Sequence, residues 1–282
     1  MEYKNFPFKY CGSIALLGDL WTPDEIPAGG CPLVLFFHGG GWRFGDKSGW
    51  AVTWRWKETL RKRGVAFATM GYRHGGYGGG LEQLAADAAD AVRFFRKRGA
   101  EYGIDGERIV LCGHSAGGHI SMLTGFVGER FRDAYSDKET ECRVLGAISI
   151  AGPANLRFFD YPETPAADEI PGDLQLLLGK NWQDPAVIER AEPLHYVMTG
   201  EAAHIPVLCL QGMSDRLVPP RMAEEFCRVG RENGYDTRHL PLPETGHCLE
   251  TPGKGGSTAP AALAADADIC RFVMELLGEK YE

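Results

Sequence analysis

Apolar residues in this chain gather in short runs, separated by longer stretches where they recur every three or four positions. Leu33-Val34-Leu35-Phe36-Phe37 is one compact run, ending at a glycine cluster, and residues 65–70 form another. Residues 108–112, 144–150, 206–210 and 237–240 repeat the pattern. Apolar runs of this length, bounded by Gly, Pro or polar turns, predict buried strands. Between them residues 50–63 are amphipathic, and residues 84–98 place Ala88, Ala91, Val92 and Phe95 on one helical face. Helices are also predicted over 220–234 and 261–277. Strands alternating with helices give an α/β architecture, a mainly parallel sheet flanked by helices. The first thirty residues fit a pair of antiparallel edge strands.

Residues 153–204 depart from this alternation. They carry several prolines and no clear strand, and read as a small cap inserted above the sheet. With no linker between two cores and no internal repeat, residues 1–282 are read as a single domain.

Composition narrows the function classes. Hydrophobic residues at 44% and charged residues at 24% are ordinary for a globular chain. A net charge of −8 with no dense Lys/Arg patch argues against nucleic acid or an anionic membrane as partner. No basic and apolar leader opens the chain, and no apolar run nears the ~18 residues of a membrane span, so a cytoplasmic location is expected. The 8 cysteines lack C-x-x-C or zinc-type spacing. Cys112 and Cys209 sit inside strand runs, which favours reduced, structural thiols and calls for no metal or cofactor. Cys248 is the thiol expected beside the chemistry.

That chemistry centres on Gly113-His114-Ser115-Ala116-Gly117, between a predicted strand and a helical run. A serine on a sharp strand-to-helix turn projects its hydroxyl above the sheet, and small neighbours are needed where the backbone is crowded. Upstream, His38-Gly39-Gly40-Gly41-Trp42 follows the strand over 33–37. Acyl transfer develops an oxyanion that needs fixed N–H donors, and the expected donors are Gly40, Gly41 and Ala116. A phosphate loop is the competing use, but the Walker lysine and the G-x-G-x-x-G spacing are absent.

A serine hydroxyl needs a base, and the base an orienting carboxylate. Asp215 follows the strand over 206–210 and His247 lies in the loop after the last strand, which makes Ser115, Asp215 and His247 the candidate triad. Asp236 and Glu244 are weaker rivals for the acid. His239 falls within a strand, and His195 and His204 in the cap region. His114 and His119 are expected to stabilise the turn through hydrogen bonds. Trp42, Trp50, Trp54 and Trp56 cluster after the glycine loop, and core packing is favoured over an aromatic substrate pocket. Phe158, Phe159 and Tyr161 carry the same ambiguity in the cap.

Together the segments His38 to Trp42, Gly113 to Gly118, Gly212 to Asp215 with Val218-Pro219, and Gly246-His247 resemble the α/β-hydrolase superfamily, and more closely its esterase/lipase group related to hormone-sensitive lipase. The resemblance covers nearly the whole chain. It implies the α/β-hydrolase fold and cofactor-independent cleavage of small carboxylic esters through an acyl-enzyme. The elbow also looks like that of small carbohydrate acetyl esterases and kynurenine formamidases, so amide cleavage stays as the alternative. A non-catalytic binding module on the same scaffold is the reading from another class. Within the resemblance Trp42 and Tyr77 are candidate substrate contacts, the partner is a small-molecule ester, and a homodimer is left open. The chain departs from the esterase pattern at His74-Gly75-Gly76-Tyr77-Gly78-Gly79-Gly80, where a proline-bearing approach to the next helix is common.

Overall fold

A computed structural model describes residues 1–49, 54–161, 170–254 and 256–281. In chain order its strands and α-helices are β1 (Glu2–Cys11), β2 (Ile14–Trp21), β3 (Cys31–Phe37), α1 (Trp54–Lys62), β4 (Ala66–Met70), α2 (Leu81–Arg98), β5 (Ile104–His114) and α3 (Ala116–Val127). There follow β6 (Gly146–Ile150), α4 (Ile170–Leu178), α5 (Pro185–Ala191), α6 (Pro193–Thr199), β7 (Val207–Gly212), α7 (Pro220–Glu232), β8 (Thr237–Leu242) and α8 (Pro260–Leu276).

The strands form one 8-stranded sheet in the order β1-β2-β4-β3-β5-β6-β7-β8. Only β2 runs against its neighbours, pairing antiparallel with β1 and β4, while the strands from β4 to β8 are mutually parallel. The fold class expected from the alternation is therefore observed, including the antiparallel pair at the N-terminus. Successive residues of a strand face opposite sides, so the continuous apolar runs feed two cores. Leu33, Leu35 and Phe37 of β3 pack with α2, α3, α6 and α7, and Val34 and Phe36 with α1 and α8.

Two strands outrun their apolar signal for different reasons. β5 begins at Ile104, which pairs with Cys31, because backbone pairing continues through a polar segment. β8 runs on through Pro241, which an edge strand accommodates because one side of its backbone needs no ladder donor. Trp56 is buried and meets Phe67 edge-on at 5.3 Å, as core packing requires. Trp50 and the side chains of Trp54 and Phe159 lie outside the described residues. Phe158 and Tyr161 are both buried.

One tie was not legible in the pattern. Lys9 on β1 is buried, with its Nζ 2.8 Å from Asp87 and 2.7 Å from Asp90 of α2, and 3.2 Å from Asp133. Burial pushes its ammonium down the pKa scale, and Asp87 and Asp90 together outweigh that, so the net direction is up. Asp87 also holds the guanidinium of Arg73 at 2.7 Å, which joins the N-terminal strand to the segment that follows β4.

Candidate active site

The end of β5 turns directly into α3 at Ser115, whose φ of 56° and ψ of −123° lie outside the regions favoured by side-chain-bearing residues. The turn is held by its neighbours, with Ser115 N–H donating to Ile150 O at 2.8 Å and His119 N–H to Ser115 O at 3.1 Å. Glycine is required on either side for lack of room. A Cβ on Gly113 would stand 2.1 Å from Gly117 O, and one on Gly117 would stand 2.0 Å from Phe37 O. β3, the turn and α3 are thus in backbone contact, which an added methyl group would break.

The same contact aligns the loop after β3. His38 is buried, stacks on Tyr72 at 4.3 Å and accepts the Tyr72 hydroxyl on its carbonyl at 2.8 Å. Gly40, Gly41 and Trp42 all take positive φ, at 123°, 57° and 55°. The Gly40 carbonyl turns into the loop to accept from Arg43 and Phe44. Among the described residues no hydrogen-bond partner is found for the N–H of Gly40, Gly41 or Ala116, and all three residues line the cavity above Ser115.

Ser115, His247 and Asp215, far apart in sequence, are brought together. His247 Nε2 lies 2.9 Å from Ser115 Oγ, and His247 Nδ1 lies 2.7 Å from Asp215 Oδ2. With the proton on Nδ1 donated to Asp215, Nε2 accepts from the serine hydroxyl, which is the tautomer a general base needs. Asp215 is fixed by three further donors. Its Oδ1 accepts from the N–H of Leu217 at 2.8 Å and Val218 at 2.9 Å, and its Oδ2 from Gln211 Nε2 at 2.9 Å. The rival acids are elsewhere: Asp236 is exposed and paired with Arg238 at 2.8 Å, and Glu244 is exposed.

His114 and His119 are buried and neutral, their pKa values pushed down by burial to about 3 and about 4. His114 Nε2 donates to the carbonyl of His247 at 2.8 Å, tying the turn to the loop that carries the base. His119 accepts from Trp42 Nε1 at 3.2 Å and donates to Ala191 O at 2.7 Å, so it links the glycine loop to the end of α5. The expected hydrogen bonds exist, and each reaches beyond the turn.

Above Ser115 lies a cavity of about 240 Å³, walled chiefly by Trp42, Phe44, Phe158, Ile170, Leu217 and Val218. Trp42 is both cavity wall and core residue. Tyr77 is not among the lining residues. It is exposed, leans on His74 with ring centroids 4.5 Å apart, and borders a separate cavity of about 530 Å³ beside β2. The expectation of a substrate contact there is corrected by the short turn at 75–77, which bonds to the back of the glycine loop through Gly75 N–H to Trp42 O and Gly76 N–H to Arg43 O.

All 8 cysteines are free, and Cys248 alone is exposed, at the cavity wall. Sequence reasoning missed Gln211, Arg43 and Asp173. Gln211 sits four residues before Asp215, a spacing with no signal until β7 turns, and Asp173 reaches the cavity only because α4 folds over it.

A family model described as BD-FAE matches residues 19–228. Among curated proteins, Esterase LipC of Mycobacterium tuberculosis is 26% identical over 263 residues, covering 89% of this chain and 60% of the relative. The chain thus spans less than two thirds of that relative's length. A probable isoprenylcysteine alpha-carbonyl methylesterase of Oryza sativa subsp. japonica is 37% identical over 106 residues, which is 38% of this chain and 24% of the relative. Among solved structures, esterase 2 of Thermogutta terrifontis phosphonylated by sarin superposes with a TM-score of 0.79 at 21% identity, covering 99% of this chain and 96% of that one. At that identity the likeness shows the α/β-hydrolase fold.

Proposed function

The chain belongs to the BD-FAE family, and on that premise we propose that it is a serine hydrolase cleaving small carboxylic esters through an acyl-enzyme. The observation that carries the proposal is the hydrogen-bonded series from Asp215 through His247 to Ser115, set beside amides with no partner among the described residues. Ser115 Oγ attacks the ester carbonyl while its proton passes to His247 Nε2. Asp215 keeps the imidazole in the accepting tautomer and stabilises the imidazolium that forms. The N–H groups of Gly40, Gly41 and Ala116 receive the oxyanion. Collapse of the tetrahedral intermediate expels the alcohol, protonated by His247, and leaves the acyl group on Ser115. Water activated by the same imidazole then releases the acid.

Helices α4 to α6 act as the cap, since Phe158 and Ile170 complete the cavity wall, while residues 162–169 of the expected 153–204 insertion lie outside the described residues. Its apolar lining supports an ester with a compact apolar part. Esterase function in LipC and phosphonylation in the Thermogutta esterase are properties of those proteins that favour the same reading here. A cytoplasmic setting accords with eight unpaired thiols. Ester and amide substrates are separated by assaying acetylated sugars, simple aryl esters and N-formylkynurenine in parallel.

A fluorophosphonate probe with peptide mapping tests the proposal. Label is expected on Ser115, with turnover of p-nitrophenyl acetate abolished in a folded Ser115→Ala variant. Label on another residue, or near-normal turnover in that variant, would overturn the assignment.

A further inference from the structure

The lining of the cavity above Ser115 includes an arginine and an aspartate, Arg43 and Asp173. They come from different elements. Arg43 belongs to the glycine loop after β3, and Asp173 to α4. Their charged groups approach to 3.3 Å, with Asp173 18% and Arg43 47% exposed. A partly exposed pair of this kind contributes little to stability. Its position is more informative than its strength. The Asp173 carboxylate is pressed against Gly41, so closely that a Cβ on that glycine would stand 2.5 Å from Oδ2.

A carboxylate in contact with Gly41 bears a charge of the same sign as the oxyanion expected beside Gly41 N–H. Unbalanced, it would oppose the developing charge that the loop is shaped to receive. The guanidinium of Arg43 balances it from two residues along the same loop. The Arg43 backbone is held as well, with its N–H donating to Gly40 O at 3.0 Å and its carbonyl accepting from Gly76 at 2.9 Å. A charge that offsets Asp173 is therefore carried by the same loop that presents the oxyanion amides.

We propose that the Arg43–Asp173 pair is a charge-balancing and positioning device of the oxyanion loop, Arg43 cancelling the carboxylate that α4 lays against Gly41. This rests on the serine-hydrolase reading and adds a role for two residues outside the triad. Because the balance acts on charge that develops during reaction, its loss falls on kcat and spares KM.

The test is steady-state hydrolysis of the uncharged ester p-nitrophenyl acetate by Arg43→Gln, Arg43→Lys and the Arg43→Gln/Asp173→Asn double variant, with melting curves for each. Arg43→Gln is expected to lower kcat about tenfold, with KM moving less than about twofold. Arg43→Lys keeps the charge and should stay within about threefold of the parent, and the double variant should recover most of the lost kcat. If the double variant is no better than Arg43→Gln, or if Arg43→Lys is equally impaired, the pair is only a structural clip and the proposal fails. A rise in KM at unchanged kcat would make Arg43 a substrate contact and would also overturn it. Absence of fluorophosphonate label on the parent protein removes the serine-hydrolase reading and this proposal with it, whereas labelling with an unaltered Arg43→Gln rate removes this proposal alone.

Discussion

Replacing Asp215 by Asn changes one atom and should disable the site without unfolding it. The carboxylate takes four donors: two backbone amides on Oδ1, and Gln211 Nε2 and His247 Nδ1 on Oδ2. Asparagine has a single acceptor oxygen. The two backbone amides cannot rotate, so that oxygen takes the Oδ1 position and the new NH₂ occupies the place of Oδ2. There it faces Gln211 and His247. A flip of the Gln211 amide turns its Oε1 toward one of the new N–H groups, but it takes Nε2 from the carbonyls of Gly212 and Val218 into the position where Oε1 had no partner, at a cost of roughly 1–3 kcal/mol. The other N–H points at His247 Nδ1 and forces that nitrogen to accept. The proton then resides on Nε2, which lies 2.9 Å from Ser115 Oγ and can no longer take the serine proton. Loss of the correct tautomer in a Ser-His-Asp triad lowers kcat by about 10⁴, equivalent to roughly 5 kcal/mol of transition-state stabilisation. Steady-state kinetics with p-nitrophenyl acetate and a melting curve measure both effects. An Asp215→Asn variant within tenfold of the parent kcat, with an unchanged melt, would refute the reasoning.

Three further outcomes follow from the geometry. Gly117→Ala sets a methyl group 2.0 Å from Phe37 O, so urea denaturation should show a loss of at least roughly 1–3 kcal/mol and activity should fall as β3 and the turn separate. Wild-type stability would mean that the elbow contact is looser than described. Lys9→Met leaves Asp87, Asp90 and Asp133 with the guanidiniums of Arg73 and Arg93 but without the ammonium they surround, and should cost up to about 3–5 kcal/mol by chemical denaturation. Acid should destabilise the fold before the carboxylates titrate. His38, His114 and His119 have pKa values pushed by burial to about 4, about 3 and about 4, below the ordinary 6.5. The unfolded chain therefore binds protons that the native state refuses, and stability present above pH 6.5 is lost as pH falls toward 4, by roughly 3 kcal/mol for His38 alone. A urea midpoint that stays level from pH 7 to pH 5 would contradict this.

Much of this was readable in one dimension. The run over 33–37, the turn at Ser115 and the helix after it each report local rules, namely burial on both faces, a crowded turn that admits only glycine, and a period near 3.6. The order of Ser115, Asp215 and His247 along the chain pointed to the three side chains before any distance was known. Boundaries were less legible where pairing outlasts apolar character, as in β5 and β8. Lys9 carried no signal at all, because a lysine near the N-terminus reads as solvated until α2 places two aspartates around it.

What the sequence determined alone is local: which stretches become strands and helices, and where a strained turn exposes a hydroxyl. Tertiary structure decided every relation between distant residues. It put β4 between β2 and β3, tied His114 to the carbonyl of His247, set Tyr77 at a separate cavity and laid Asp173 against Gly41. The physical reason is range. Backbone geometry and side-chain periodicity act over a few residues, whereas a hydrogen bond spanning 132 positions exists only when strand order and crossover helices bring its two ends to the same edge of the sheet.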